Sequence, residues 1–330
     1  MAGIVGQGTT FDLPNFIGEL FLVSPSDTPF LSAIGGLTGG ESIQAKLFEW
    51  ETYDLRVPGA TGDGGTYTAV AGRQAVEGAN APSAQARVRA YAHNVVEIHQ
   101  EAVEVSYTKQ AAIGQLSPSV LAQGTNPVTD EMGFQVKASL LQIARDLEYN
   151  FLNGVIDEPA TNATPRKTNG LINAITTNVV DLSAGDLTVA AFLDAMQLAW
   201  ESGGLQEGET RTAILNATLK RAVTTLFIKD QNFRQMDRNV GGVNLTTIET
   251  DFGDLNLLLD RYMPTDKIVL ASLEDISPVF LLIPGKGFLF AEPLAKNGSA
   301  DRTQIYGEVG LKYGNEKKHA KIVGASGSIS

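Results

Sequence analysis

The chain has 330 residues, 43% of them hydrophobic and 19% charged, which suits a globular protein with a sizeable core and two subdomains. A formal net charge of −12 argues against tight binding along a nucleic-acid backbone, which requires clustered Lys and Arg. The absence of cysteine excludes disulfide staples and cysteine-ligated metal.

Residues 1–40 are apolar and turn-rich, broken by Pro14, Pro25, Pro29 and the pairs Gly35-Gly36 and Gly39-Gly40. Phe11, Leu13, Phe16, Ile17, Leu20, Phe21, Phe30, Leu31 and Ile34 are too many apolar groups for a solvated tail. The segment therefore reads as an arm lying along something else, with one short helix over Pro14–Leu22. Its start lacks the basic n-region of a secretory signal, and no run reaches the roughly 18–20 apolar residues of a membrane span, so a soluble intracellular product is expected.

Two extended runs follow, Gly40–Arg56 and Ser83–Tyr107, joined by a glycine-rich tip at Pro58–Gly65. In the second, Ala86, Val88, Ala90, Ala92, Val96 and Ile98 share one face. Arg87, Arg89, Tyr91, His93, Glu97, His99 and Glu101 share the other, the period of a half-buried strand. At about 3.3 Å per residue the ribbon would reach about 60–70 Å, too long to shelter its own apolar face. It needs a neighbour. In the first run the apolar parity shifts between Leu47 and Phe48, which predicts a bulge there. Arg56, Arg73, Arg87 and Arg89 lie toward the tip, and Glu97, Glu101 and Glu104 toward the base. With Trp50, these are the candidate inter-subunit contacts, a basic tip meeting a neighbour's acidic base; the alternative is a solvated face.

Met132, Val136, Leu140, Ile143, Leu147 and Phe151 recur at helical spacing and predict a long amphipathic helix over Thr129–Asn153. Thr129 or Asp130 can cap its start, and Gly154 can close it. Further helices are expected at Thr188–Ser202 and from Asn216 to Leu226. Strands are expected at Thr212–Leu215, Val243–Thr250, Leu255–Leu259, Lys267–Leu270, Val279–Ile283, Thr303–Tyr313 and Ala320–Gly324.

Catalytic motifs are scarce. Gly35–Gly40 lacks the lysine and hydroxyl residue of a phosphate loop, and no serine sits in a nucleophile elbow. His93, His99, Glu97 and Glu101 would space out at about 6–7 Å along a strand, too far for one metal, and read as a polar outer face. Asp251/Asp254 and Asp301/Glu308 could serve acid–base work, although the first pair falls in a turn where Asp is expected anyway. No enzyme activity, cofactor or metal is expected.

Late in the chain stand Asp251-Phe-Gly253, Asp260-Arg-Tyr-Met-Pro264, Leu294-Ala-Lys296-Asn-Gly298, Gly307-Glu308 and Gly314-Asn-Glu-Lys-Lys-His319. With Ser26-Asp-Thr-Pro29-Phe-Leu31, they resemble the major capsid proteins of tailed bacteriophages, which have the Hong Kong 97-like fold. The resemblance runs in order over nearly the whole chain. It implies an α+β fold with an N-terminal arm (1–40), an extended β-hairpin loop (41–108) and a peripheral domain with a spine helix (109–180). An axial domain (181–284) and strands returning to the peripheral domain (285–330) complete it. It further implies hexamers and pentamers of an icosahedral head, made in the host cytoplasm, that encloses double-stranded DNA without sequence-specific binding. Scaffolding, portal and decoration proteins would be separate partners, with no membrane. Some members crosslink Lys to Asn; Lys46 and Lys109 are present, but nothing marks a pair. Rival readings are an encapsulin-type cargo compartment, a tail or decoration component, and a hydrolase using Asp251.

Overall fold

The computed structural model describes residues 24–53, 86–111, 130–230, 247–296 and 298–327, together with Leu22, Leu55, Glu77, Gly78 and Asn80. The expected helix at Pro14–Leu22 (all but Leu22), the tip Pro58–Gly65, Arg56 and Arg73, and residues 243–246 lie outside them.

A short helix α1 (Pro29–Ala33) opens the described chain, with Pro29 at a position where a missing N–H costs nothing. It ends in a glycine turn: Gly35 has φ 115°, and a Cβ there would lie 2.8 Å from the Gly39 carbonyl oxygen, so no other residue fits. Next come β1 (Glu41–Ile43), β2 (Leu47–Tyr53), β3 (Arg89–Val95), β4 (Glu97–Ser106) and α2 (Tyr107–Ala111). The long helix α3 spans Glu131–Asn153, and the Asp130 side chain accepts from Gly133 N–H at its start. Then follow α4 (Leu171–Ala174), β5 (Val179–Asp181), α5 (Val189–Glu201), β6 (Arg211–Leu215) and α6 (Ala217–Asp230). The chain closes with β7 (Thr247–Thr250), β8 (Gly253–Leu259), β9 (Ile268–Ser272), β10 (Ser277–Leu281), β11 (Leu289–Pro293), β12 (Ala300–Lys312) and β13 (Ala320–Val323).

These elements form two sheets and a ribbon. A six-stranded sheet runs β5-β13-β9-β6-β8-β7, and α5 and α6 pack on it through Phe192, Met196, Leu219, Val223 and Phe227. The five-stranded sheet is organised by β12, which pairs with β4 along Ala300–Val309, with β11 along Thr303–Gly307 and with β10 at Val309–Lys312. Strand β1 adds to β10 in parallel. Between the two sheets, α3 buries Ile143, Leu147, Phe151 and Leu152 with Phe30, Leu31 and Ile34 of the arm and Val269, Ile305 and Val309 of the sheets. The ribbon proper is β2 with β3, in register from Leu47↔Val95 to Tyr53↔Arg89.

Four expectations are corrected here. The second extended run is not one strand of a two-stranded ribbon, because it changes partner at Val96 and β4 joins β12 over ten residue pairs. The parity shift near Leu47–Phe48 marks a bend between two strands and not a bulge: Gln44–Lys46 bend, so that β1 serves the sheet and β2 the ribbon. Along β4 the face expected inward is the outer one, since Ile98 is exposed while Glu97, Val103 and Val105 are buried; Val96, where the partner changes, is buried as expected. Finally, residues 285–330 divide: β11 and β12 lie in the five-stranded sheet, whereas β13 lies between β5 and β9 in the other.

Candidate functional site

The ribbon base, where β3 passes into β4, holds a buried polar network. Asn94 is fully buried; its Nδ2 donates to Leu311 O (2.7 Å) and Asn169 O (3.2 Å), and its Oδ1 accepts from Val95 and Asn169 N–H (2.8 Å each). All its hydrogen-bonding capacity is thus taken up by backbone that would otherwise be buried unpaired. Val96 N–H donates to Lys46 O (3.0 Å), and Val96 O accepts from Arg166 Nε (3.1 Å). Arg166 Nη2 also pairs with Glu308 Oε2 at 2.6 Å, while the Tyr306 hydroxyl donates to Glu308 Oε1 at 2.7 Å. Burial, with the Glu308 carboxylate beside it, pushes the Tyr306 phenol up to about 12.

Glu97 is 6% exposed. It holds His99 Nε2 (2.7 Å) and Asn150 Nδ2 (2.9 Å) on Oε1, and Thr168 N–H (3.2 Å) on Oε2, so it joins β4 to α3 and to the loop before α4. On β2, Trp50 Nε1 donates to Gly314 O (2.6 Å) and its ring meets Tyr313 edge-on at 4.9 Å. The base is a clamp of charge-assisted bonds, and it has no nucleophile placed beside a base.

The predicted contact residues are distributed accordingly. Trp50 and Glu97 make these bonds within the subunit. Arg89 is exposed and pairs with Glu51 across the ribbon at 2.7 Å, and Glu104 pairs with Arg302 at 2.9 Å. Glu101 is half-buried on β4, and Arg87 is exposed just before β3. The expected outer face of His99 and Glu97 is corrected, because both side chains are nearly enclosed. Asp251 and Asp254 are exposed at the β7–β8 turn. Asp301 pairs with Lys296 (3.0 Å) and Glu308 with Arg166, so these two acids are held by separate cations. Among the described residues no group of three His, Cys, Asp or Glu side chains could hold a metal ion. No helix among them is long and apolar enough to cross a membrane. The sequence reading passed over Asn94, Arg166 and Tyr306; it puts Glu148 on the solvent or partner face of the long helix, whereas the structure buries it, and it quotes Asp260 only within the family resemblance. The available signal for Asn94 was its place on the face otherwise made of Ala90, Ala92, Val96 and Ile98.

The chain matches the profile described as SU10 major capsid protein over residues 3–326. It is 22% identical to the major capsid protein of Escherichia phage Phieco32, covering 96% of this chain and 95% of that one. Among solved structures, the capsid of cyanophage A-1(L) superposes with a TM-score of 0.64 at 12% identity, covering 98% and 100% of the two chains. The capsid of the native GTA particle gives 0.64 at 13%, covering 98% and 99%. The SrpI encapsulin of Synechococcus elongatus gives 0.54 at 10%, covering 96% and 93%.

Proposed function

The chain belongs to the SU10 major capsid protein family, and from that premise we propose how it builds its shell. It is a major capsid protein of tailed-phage type with the Hong Kong 97-like α+β fold, and it acts by associating with copies of itself. In the proposed arrangement the six-stranded sheet with α5 and α6 meets its counterparts around capsomer axes in hexamers and pentamers. The ribbon extends over a neighbouring subunit, with Arg87 and Arg89 on one side of the contact and Glu101 and Glu104 on the other. Trp50, Glu97 and the network around them stiffen the ribbon from within. The shell encloses double-stranded DNA without reading its sequence, and assembles in the host cytoplasm with separate scaffolding and portal proteins.

The observation that carries this reading is the family match over nearly the whole chain. The geometry supports it: a clamped base aims a ribbon whose Tyr53 and Tyr91 are 69% and 63% exposed, so its faces are left for something outside the subunit. Fold alone would also admit a cargo compartment, as the likeness to an encapsulin illustrates; the family match favours the phage head. Negative-stain electron microscopy of the purified chain, alone and with a co-expressed neighbouring scaffold product, is expected to show closed shells of uniform size. Monomers in both conditions would overturn the reading, and shells that copurify with an enzyme and no nucleic acid would turn it toward the encapsulin alternative.

A further inference from the structure

A second buried polar site fastens the segment leading into α1 to the body. Phe30, Leu31 and Ile34 are buried in the same core as Ile143, Leu147 and Phe151 of α3 and Met263. At the start of α1 the Phe30 and Leu31 N–H groups donate to Oε1 and Oε2 of Glu148, at 2.7 and 2.6 Å. Glu148 and Asp260 are both fully buried, and their carboxyls lie beside each other. Asp260 Oδ1 accepts from Tyr262 N–H at 2.7 Å, while the buried Oδ2 meets no donor among the described residues. Two carboxyls in contact, otherwise offered only acceptor roles, require one proton between them.

The charged and titratable neighbours do not replace that proton. On α3, Arg145 donates to the Tyr262 hydroxyl at 2.9 Å, and Asp146 accepts from Gln142. From the turn after β8, Arg261 reaches outward to Asp27 of the arm at 2.8 and 2.9 Å. That pair holds its charges through neutral pH, since the Arg261 guanidinium keeps the Asp27 carboxyl below its ordinary range.

We propose that Glu148 and Asp260 form a one-proton latch, which holds the arm segment Ser24–Ile34 on the spine helix and loosens as pH rises. Undocking the segment admits water, and the Glu148 carboxyl then titrates near its ordinary value of about 4.3. Docked, Glu148 is pushed up to about 9, by burial first and the Asp260 carboxyl second. Between those limits the docked state keeps a proton that the open state has released. Docking therefore weakens with rising pH, by up to about tenfold per unit, and levels off above about 9. The three histidines bond elsewhere: His93 near Glu158, His99 to Glu97, and His319 between Ser272 and Tyr313. The conformation in which the chain enters assembly would then depend on pH.

Pulsed amide exchange on the full chain tests this, with protection expressed relative to an unstructured peptide at the same pH. The reporting amides are Ser32, Ile34 and Gly36, which donate to Thr28, Phe30 and Leu31 carbonyls. Their protection is expected to fall at least tenfold from pH 6 to pH 8, while that of β9 stays constant. In Asp260→Asn, whose amide supplies a fixed donor to Glu148, the fall should vanish. A flat wild-type profile, an equal fall in β9, or an undiminished fall in the variant would each overturn the latch. The wild-type comparison with β9 decides the matter even if the variant does not fold.

Discussion

His319 has its tautomer set by its surroundings. Its Nδ1 accepts from Ser272 N–H at 3.2 Å and its Nε2–H donates to Tyr313 O at 2.9 Å, all without solvent exposure. A second proton would turn Nδ1 toward a donor it could no longer accept from. Burial accordingly holds its pKa below the ordinary value, partly offset by the Tyr313 carbonyl. The sign follows: the folded state resists a proton that the unfolded chain binds near 6.5, so this group's contribution is present above that pH and lost as pH falls. The loss can reach about 1.4 kcal/mol per pH unit. The Glu148–Asp260 pair trends the opposite way, so the comparison has to be made against a variant. Denaturant midpoints taken at pH 7.5 and 5.0 should fall more on acidification in the wild type than in His319→Gln. Glu97 shows what a single position conceals. Alternation along β4 marks two faces but not which is inward, and the residues that decide it, Val103 and Val105, share Glu97's parity. The other face of β4 has only Ile98 and Ala102 as apolar groups, and Ile98 is left exposed.

At the level of elements, what could be read locally was read well. Six apolar residues at helical spacing marked α3, and the structure places it at Glu131–Asn153 with Asp130 as its cap. The turn at Asp251–Phe252 likewise separates β7 from β8 as its residues suggested. The ribbon was misread because its pairing is not local: Glu97 pairs with Val309, and nothing in either run shows the other as its partner. The switch at Val96 is held by Arg166, which alone bonds both the Val96 carbonyl and Glu308. Arg166→Met keeps the unbranched apolar stem of the side chain and removes both bonds. It leaves Glu308, 8% exposed, without its cation. The expected cost is about 2–3 kcal/mol, below the figure for a fully enclosed pair because Arg166 is partly solvated. A drop in urea midpoint with unchanged far-ultraviolet dichroism would match this. A shift under about 0.5 kcal/mol would mean that Asn94 and Glu97 hold the base by themselves.

Over the whole molecule, the last strands connect what precedes them: β12 takes β4, and β13 enters between β5 and β9. A sequence shows that such strands exist but not which sheet receives them, since both sheets offer apolar edges. The same ambiguity extends to contacts between subunits. Arg89 has a partner on its own ribbon, Glu51, and an exposed pair of this kind is worth about 0–1 kcal/mol, too little to decide folding. Its charge can still select a neighbour when repeated around a shell. Arg89→Glu should therefore leave the subunit folded but lower shell yield in electron micrographs. Adding Glu51→Arg separates the two roles, because it restores the pair within the ribbon and does not restore the charge presented at position 89. If Arg89 faces a neighbouring subunit, shells stay scarce in the double variant. If shells return to wild-type yield, or never fell in the single variant, Arg89 acts only within its own ribbon. The contact between subunits would then have to rest on the exposed Tyr53 and Tyr91 beside it.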